Sequence, residues 1–226
     1  MKVVIMQPFY LPWMGYFALM SLADVYVFYD DVQFVLQSWQ SRNQIKTGNG
    51  VQWLTVPVER EFGQKINQVK IKGFHWKDDH IKTIEQTYSK APHFETYWEY
   101  LSRIYEVDWL YLSELTIYSI RQLAELLNIG MPKFIKSSEL GGIQGQKTDR
   151  ILSILEKLEA DEYISGPAAK DYINEDKFKG IKLTWFDYQH PIYPQIRGEF
   201  IPYMSVIDLL FNTGEEAIDY IREGIK

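Results

Sequence analysis

Residues 1–17, MKVVIMQPFYLPWMGYF, decide the fold. Val3, Val4, Ile5 and Met6 form an apolar run without alternation, the pattern of a strand covered on both faces, as in a parallel sheet. The run breaks at Gln7-Pro8, and after Pro12 and Gly15 the chain reads as the start of a helix, extending from Pro12 to Ala23. A strand, a turn and a helix are the opening unit of an α/β fold. The loop between them opens at the carboxyl edge of the sheet, where open α/β sheets bind ligands and where the positive end of the following helix favours an anion. Gln7, Tyr10, Trp13, Gly15 and Tyr16 are therefore binding candidates. A plain turn with its aromatics in the core accounts for the same residues equally well.

Outward from this unit, Val25 to Tyr29 reads as a second strand ending in Asp30-Asp31. Gln52 to Val58 and Ile66 to Lys72 read as two more, with a turn at Gly48-Asn49-Gly50. From His75 to Ile129 apolar residues recur at helical spacing, and the last helix of the block closes at Asn128 and Gly130. The β/α rhythm then returns: strands at Lys133–Lys136, Glu162–Ser165 and Ile181–Tyr188, with a helix over Lys147–Leu158. Ser205 with Asp208, and Thr213 with Glu216, have capping-box spacing for two final helices. The expected architecture is one α/β domain over 1–226, with a mostly parallel, Rossmann-like sheet flanked by helices and a helical insertion at about 75–130.

Composition narrows the function classes. The 226-residue chain is 46% hydrophobic, enough for a full core, and its net charge of -6 argues against an extended nucleic-acid surface. With no cysteine it has no disulfide, thiolate nucleophile or Cys-based zinc site, which fits a cytoplasmic protein. No stretch approaches the roughly 20 apolar residues of a membrane span, and no leader pattern stands at the N-terminus. His75 and His80 lie five apart around a helix, too poorly matched for a metal pair, so no protein-bound transition metal is expected. Magnesium accompanying a nucleotide is allowed. The excess of aromatics, 7 Trp, 16 Tyr and 12 Phe, suits stacking on sugars or bases as well as ordinary core packing.

Three constellations can carry chemistry. In the first, Asp30 and Asp31 sit at a strand end before a loop with Arg42, Asn43 and Lys46; carboxylates there can hold a cation or accept ribose or sugar hydroxyls, and Arg42 and Lys46 can meet phosphate or carboxylate. Neighbours on a strand point to opposite faces, so only one aspartate need enter a site, with Asp31 slightly preferred. In the second, Gly141-Gly142-Ile143-Gln144-Gly145-Gln146-Lys147-Thr148-Asp149-Arg150 precedes an apolar helix. Gly145 lets backbone approach a ligand, and Lys147, Thr148 and Arg150 donate to phosphate at the helix start. It departs from a Walker A loop, because Gln146 separates Gly145 from Lys147. The third gathers Tyr163, Ser165, Gly166 and Tyr172, then His190, Tyr193 and Gln195, with His190 the best general-base candidate among four histidines. No G-x-S-x-G elbow is present, which disfavours a serine hydrolase.

Taken together, IMQPFYLPWMGYF, DVYVFYDDVQF, SWQSRNQIKT, GQKTDRILSIL, DEYISGPAAKDYI and FDYQHPIYPQ resemble the WbqC-like family over nearly the whole chain. That resemblance implies a bacterial surface-polysaccharide, or O-antigen, setting and a transferase that modifies an amino sugar or nucleotide-sugar, glycine transfer to form an amide having been suggested. It brings no assigned catalytic residues. A weaker likeness, to HIGH-type adenylyltransferases, rests on the turn after the first strand and the Lys-Thr-x-Arg helix start, but residues 12–16 lack both histidines of H-x-G-H. If glycine is activated by ATP with magnesium, Lys147 and Arg150 hold phosphate, and His190 or Asp31 takes the ammonium proton. The competing expectation is a non-catalytic nucleotide- or carbohydrate-binding protein.

Overall fold

The computed structural model describes residues 1–226. β1 (Lys2–Met6), α1 (Met14–Met20) and β2 (Val25–Phe28) come first, followed by β3 (Arg42–Thr47), β4 (Gly50–Thr55), β5 (Val58–Glu59) and β6 (Lys70–Ile71). A run of helices follows: α2 (His75–Tyr88), α3 (Phe94–Leu101), α4 (Arg103–Glu106) and α5 (Leu112–Leu126). The chain then passes through β7 (Lys133–Lys136), α6 (Lys147–Lys157), β8 (Glu162–Ser165) and β9 (Lys182–Trp185) to α7 (Val206–Thr213) and α8 (Ala217–Glu223).

Five strands form one wholly parallel sheet in the order β7-β2-β1-β8-β9. Side chains alternate between its two faces. Val4, Tyr26, Phe28 and Ile164 turn toward α1, α5, α7 and α8, while Val3, Ile5, Val25, Val27 and Tyr163 turn toward α6. Because both faces are covered there, β1 and β2 read as unbroken apolar runs, which is why they were visible in the sequence. The crossover between β1 and β2 runs over one face and that from β7 through α6 to β8 over the other. The topological switch point thus falls between β1 and β8, the Rossmann arrangement.

Three local expectations are corrected. Arg42–Thr47, read as loop, is β3, pairing antiparallel with β4. Its polar residues hid the strand; Asn43 and Ile45 face inward and are buried. This hairpin and the β5–β6 pair stand apart from the main sheet. α7 starts after Ser205, where a capping box was expected, but Thr213 precedes a 3-10 turn over Gly214–Glu216 and α8 begins only at Ala217; neither box forms. The Asp208 carboxylate turns into the interior, and Thr213 Oγ1 donates back to the Leu209 carbonyl, 2.8 Å away. By contrast α5 ends as its sequence suggests, on Asn128 in the left-handed region (φ 52°), with the Ile129 N–H donating to the Ala124 carbonyl.

Candidate functional site

The carboxyl edge of the sheet gathers the ends of β1, β2, β7 and β8. Val4 lies level with Ile164 across β1 and β8, so Gln7, Ser165 and Gly166 follow at the same edge. At the end of β2 the alternation continues into the loop, and the two aspartates part. Asp31 turns toward α6, where it pairs with Arg150 and accepts from Ser137 Oγ at 2.5 Å. The Arg150 guanidinium also lies 5.8 Å from the Tyr29 ring centroid. Asp30 turns the other way; it is buried and accepts from Ser137 Oγ (3.1 Å), the Ser138 N–H (3.0 Å) and Ser138 Oγ (2.7 Å). The serine pair ends β7, so two strand ends are tied together by one charge-assisted network.

Asp30 lines a cleft of about 630 Å³ between the carboxyl ends of β2 and β7 and the side of α5. This volume lies within the range, roughly 300–1,000 Å³, of sites for small-molecule ligands. Its wall offers three kinds of group. Trp109 and Tyr118 present a ring pair with centroids 5.0 Å apart. Arg121, whose guanidinium lies over the Phe134 ring, and Lys136 supply cations, while Glu114 and Glu125 supply carboxylates. Asn67 also lines it, and its Oδ1 is buried without a hydrogen-bond partner, an acceptor left open. Except for Asp30, none of these stood out in the sequence.

The loop from β1 to α1 is closed. Asn43 Nδ2 donates to the carbonyls of Tyr10 and Leu11, the Val206 N–H donates to the Pro12 carbonyl, and Trp13 bridges to Ser205. The Trp13 indole lies on Gly15 so closely that a Cβ there would sit 2.3 Å from the ring. The indole thus covers Gly15, and the loop departs from a HIGH-type nucleotide site in shape as well as in sequence. Tyr10 points inward: its hydroxyl meets His80 Nδ1 at 2.8 Å and the Tyr105 hydroxyl at 2.9 Å. Burial lowers the His80 pKa to about 4. Tyr16 is buried and donates to the Gln7 carbonyl; the Gln7 side chain accepts from Gln40. Arg42 stacks over Trp53, 4.1 Å from its centroid.

The glycine loop before α6 does not form a cradle. The Gly141 carbonyl accepts from Lys157 and the Gln144 N–H donates to Ser153, so this segment lies back along the helix. Only Gly145 stands at the helix start, with φ 80° and no room for a Cβ beside Asp149. Thr148 is buried, bonding the Tyr172 carbonyl and the Asn174 N–H. Lys147 is exposed. Tyr163 is buried and accepts from Ser165 Oγ; Gly166 lies beside the Met6 methyl, and Tyr172 is half-exposed.

In the C-terminal tail both ring nitrogens of His190 are engaged. Nδ1 lies 2.7 Å from the Pro191 carbonyl and Nε2 accepts from the Tyr203 N–H at 3.1 Å. Neither is free to take a proton, and burial lowers the pKa of the ring below its ordinary value. Tyr193 and Gln195 face inward and, with Tyr88, donate to Asp208 at 2.7–2.8 Å. Burial raises the Asp208 pKa against the opposing effect of these donors and of Lys46. Lys46 is itself buried, with no partner for its ammonium. The structure therefore brings Gln7, Asp30, Asp31, Arg150, Ser165 and Gly166 to one edge, and it places Tyr10, Tyr16, Asn43, Tyr163, Tyr193 and His190 in supporting positions.

No helix is long and apolar enough to cross a membrane. No solved structure matches the chain. A curated relative, "Uncharacterized protein Rv1507c" of Mycobacterium tuberculosis (strain ATCC 25618 / H37Rv), is 40% identical over 227 residues, covering 98% of this chain and 97% of the relative. The model of the WbqC-like protein family matches residues 7–220. With its parallel sheet, its order of motifs and this match over nearly its whole length, the chain belongs to the WbqC-like protein family.

Proposed function

We propose that the protein is a transferase that modifies a nucleotide-linked amino sugar for surface-polysaccharide assembly, and that the nucleotide-sugar occupies the cleft beside Asp30. The observation that carries this reading is the mixed chemistry of that single cleft at the carboxyl edge of a Rossmann-ordered sheet. In the proposed complex the base lies against Trp109 and Tyr118, the diphosphate meets Arg121 and Lys136, and sugar hydroxyls bond Asp30 and the open Asn67 Oδ1. Glu114 and Glu125 suit the ammonium of an amino sugar. The WbqC-like resemblance supports glycine as the group transferred: ATP would activate its carboxyl as an adenylate with loss of pyrophosphate, and the sugar amine would displace AMP as the amide forms. The closed β1–α1 loop counts against ATP binding there in the HIGH-type manner.

The test incubates the purified protein with ATP, magnesium, glycine and UDP-glucosamine, and follows the sugar nucleotide by mass spectrometry. Gain of one glycyl residue, dependent on protein and reduced at least tenfold in Asp30→Asn, is the expected result. Saturable binding without any product would favour the non-catalytic nucleotide- or carbohydrate-binding alternative.

A further inference from the structure

A second cavity opens beside the β1–α1 loop, lined by Phe9, Pro12, Trp13, Trp39, Asn43 and Tyr203, and its volume is about 170 Å³. That is below the range for a whole small-molecule ligand, so it takes one ring. Trp39 is 44% exposed and Tyr203 55%, and the Trp39 indole continues into Trp53, 5.3 Å away and 39% exposed. Large apolar rings left open around a cavity mark a binding surface.

Two features point to what binds. First, the lining carries no charged side chain, and the Asn43 amide is fully used: Nδ2 serves two loop carbonyls and Oδ1 accepts the Gln44 N–H. No cation lines the cavity itself, and Arg42 lies instead over the neighbouring Trp53 ring; the polar groups the lining offers are the indole N–H groups and the Tyr203 hydroxyl, which suit a ligand's hydroxyls. Trp13 and Tyr203 meet edge-on at 61° and Trp39 is tilted by 35° to Trp53, so neither of these pairs forms a parallel slot for a flat base. A pyranose needs only a ring face for its C–H side while its hydroxyls stay in water.

Second, Tyr203 is held in a strained backbone at φ 63°, a region that bulky residues rarely adopt. Its N–H is fixed by His190 Nε2, and the His190 ring lies 5.0 Å from the Tyr203 ring and 6.0 Å, nearly parallel, from Trp13. Strain of this kind persists where the surroundings over-determine it, and it clusters at ligand sites. We infer that the Trp39–Trp13–Tyr203 cavity is a stacking subsite for an uncharged saccharide ring, separate from the Asp30 cleft, and that His190 is a positioning residue that aims Tyr203 into it.

Saturation-transfer NMR on the full chain tests this, with N-acetylglucosamine, methyl glucoside, uridine and adenosine as probes. The saccharides should receive saturation through protons of one ring face, and the nucleosides should not compete with them. Trp39→Ala should weaken saccharide binding about five- to tenfold and Trp39→Phe less, with thermal melts unchanged. Tyr203→Gly separates site from scaffold: it relieves the positive φ, so the melt should hold or rise while binding falls. His190→Ala should weaken binding to a similar extent as Tyr203→Gly. Three results would overturn the inference: no transfer to the saccharides, binding of nucleosides in their place, or saccharide binding that survives Trp39→Ala but is lost in Asp30→Asn. None of these measurements depends on turnover, so a protein that binds the saccharides but fails to make a glycylated product contradicts only the proposed reaction.

Discussion

His80 shows how a residue that suggests chemistry in a sequence becomes part of the scaffold. Its ring is 5% exposed, between the Tyr10 hydroxyl and the rings of Trp76 and Tyr105. Burial lowers its pKa to about 4, from an unfolded value near 6.5. Between these values the unfolded chain binds a proton that the folded one does not, so stability is full above pH 6.5 and falls as the pH drops toward 4. The size of this loss is on the order of 3 kcal/mol, and it should flatten below the folded pKa. Urea unfolding across this window should show the slope in wild type and a weaker one in His80→Asn; equal slopes would remove His80 as its source. Lys147 is the opposite case, exposed at the helix start. Lys147→Ala should change stability by about 0.5 kcal/mol or less in the same assay.

At the scale of elements, strands buried on both faces were legible because the apolar run itself marks them, and α6 was legible through its amphipathic spacing. The hairpin strand β3 was not, since Arg42, Gln44 and Lys46 alternate with Asn43 and Ile45 without an apolar stripe. The same limit applied to the sites. Asp30 and Asp31 could be placed at a strand end, and their opposite orientations followed from alternation, but Asp30, not Asp31, lines the large cleft. The partners on α5 come from a helix far along the chain, and no local spacing announces them. Asp208 fitted a capping box in the sequence; only packing shows three donors converging on it. The turn between β1 and α1 gives a further prediction. Gly15→Ala would drive a methyl into the Trp13 indole, and it should destabilise the protein by about 1–3 kcal/mol, seen as a Tm lower by several degrees. An unchanged Tm would mean that the loop repacks freely and is not the closed structure described above.

For the whole molecule, the parallel order β7-β2-β1-β8-β9 sets the functional geography. All five carboxyl ends point one way, and the two clefts flank the ends of β1 and β2, one rich in charge and one built of rings. On this account the charged cleft takes the nucleotide-sugar. Titration calorimetry of UDP-glucosamine into wild type, Arg121→Ala and Lys147→Ala tests that claim most directly. One saturable site is expected, about tenfold weaker in Arg121→Ala because a charge-assisted contact to phosphate is lost, and unchanged in Lys147→Ala. Equal affinity in wild type and Arg121→Ala, together with a loss in Lys147→Ala, would place the phosphate at the start of α6 and contradict the assignment of the Asp30 cleft.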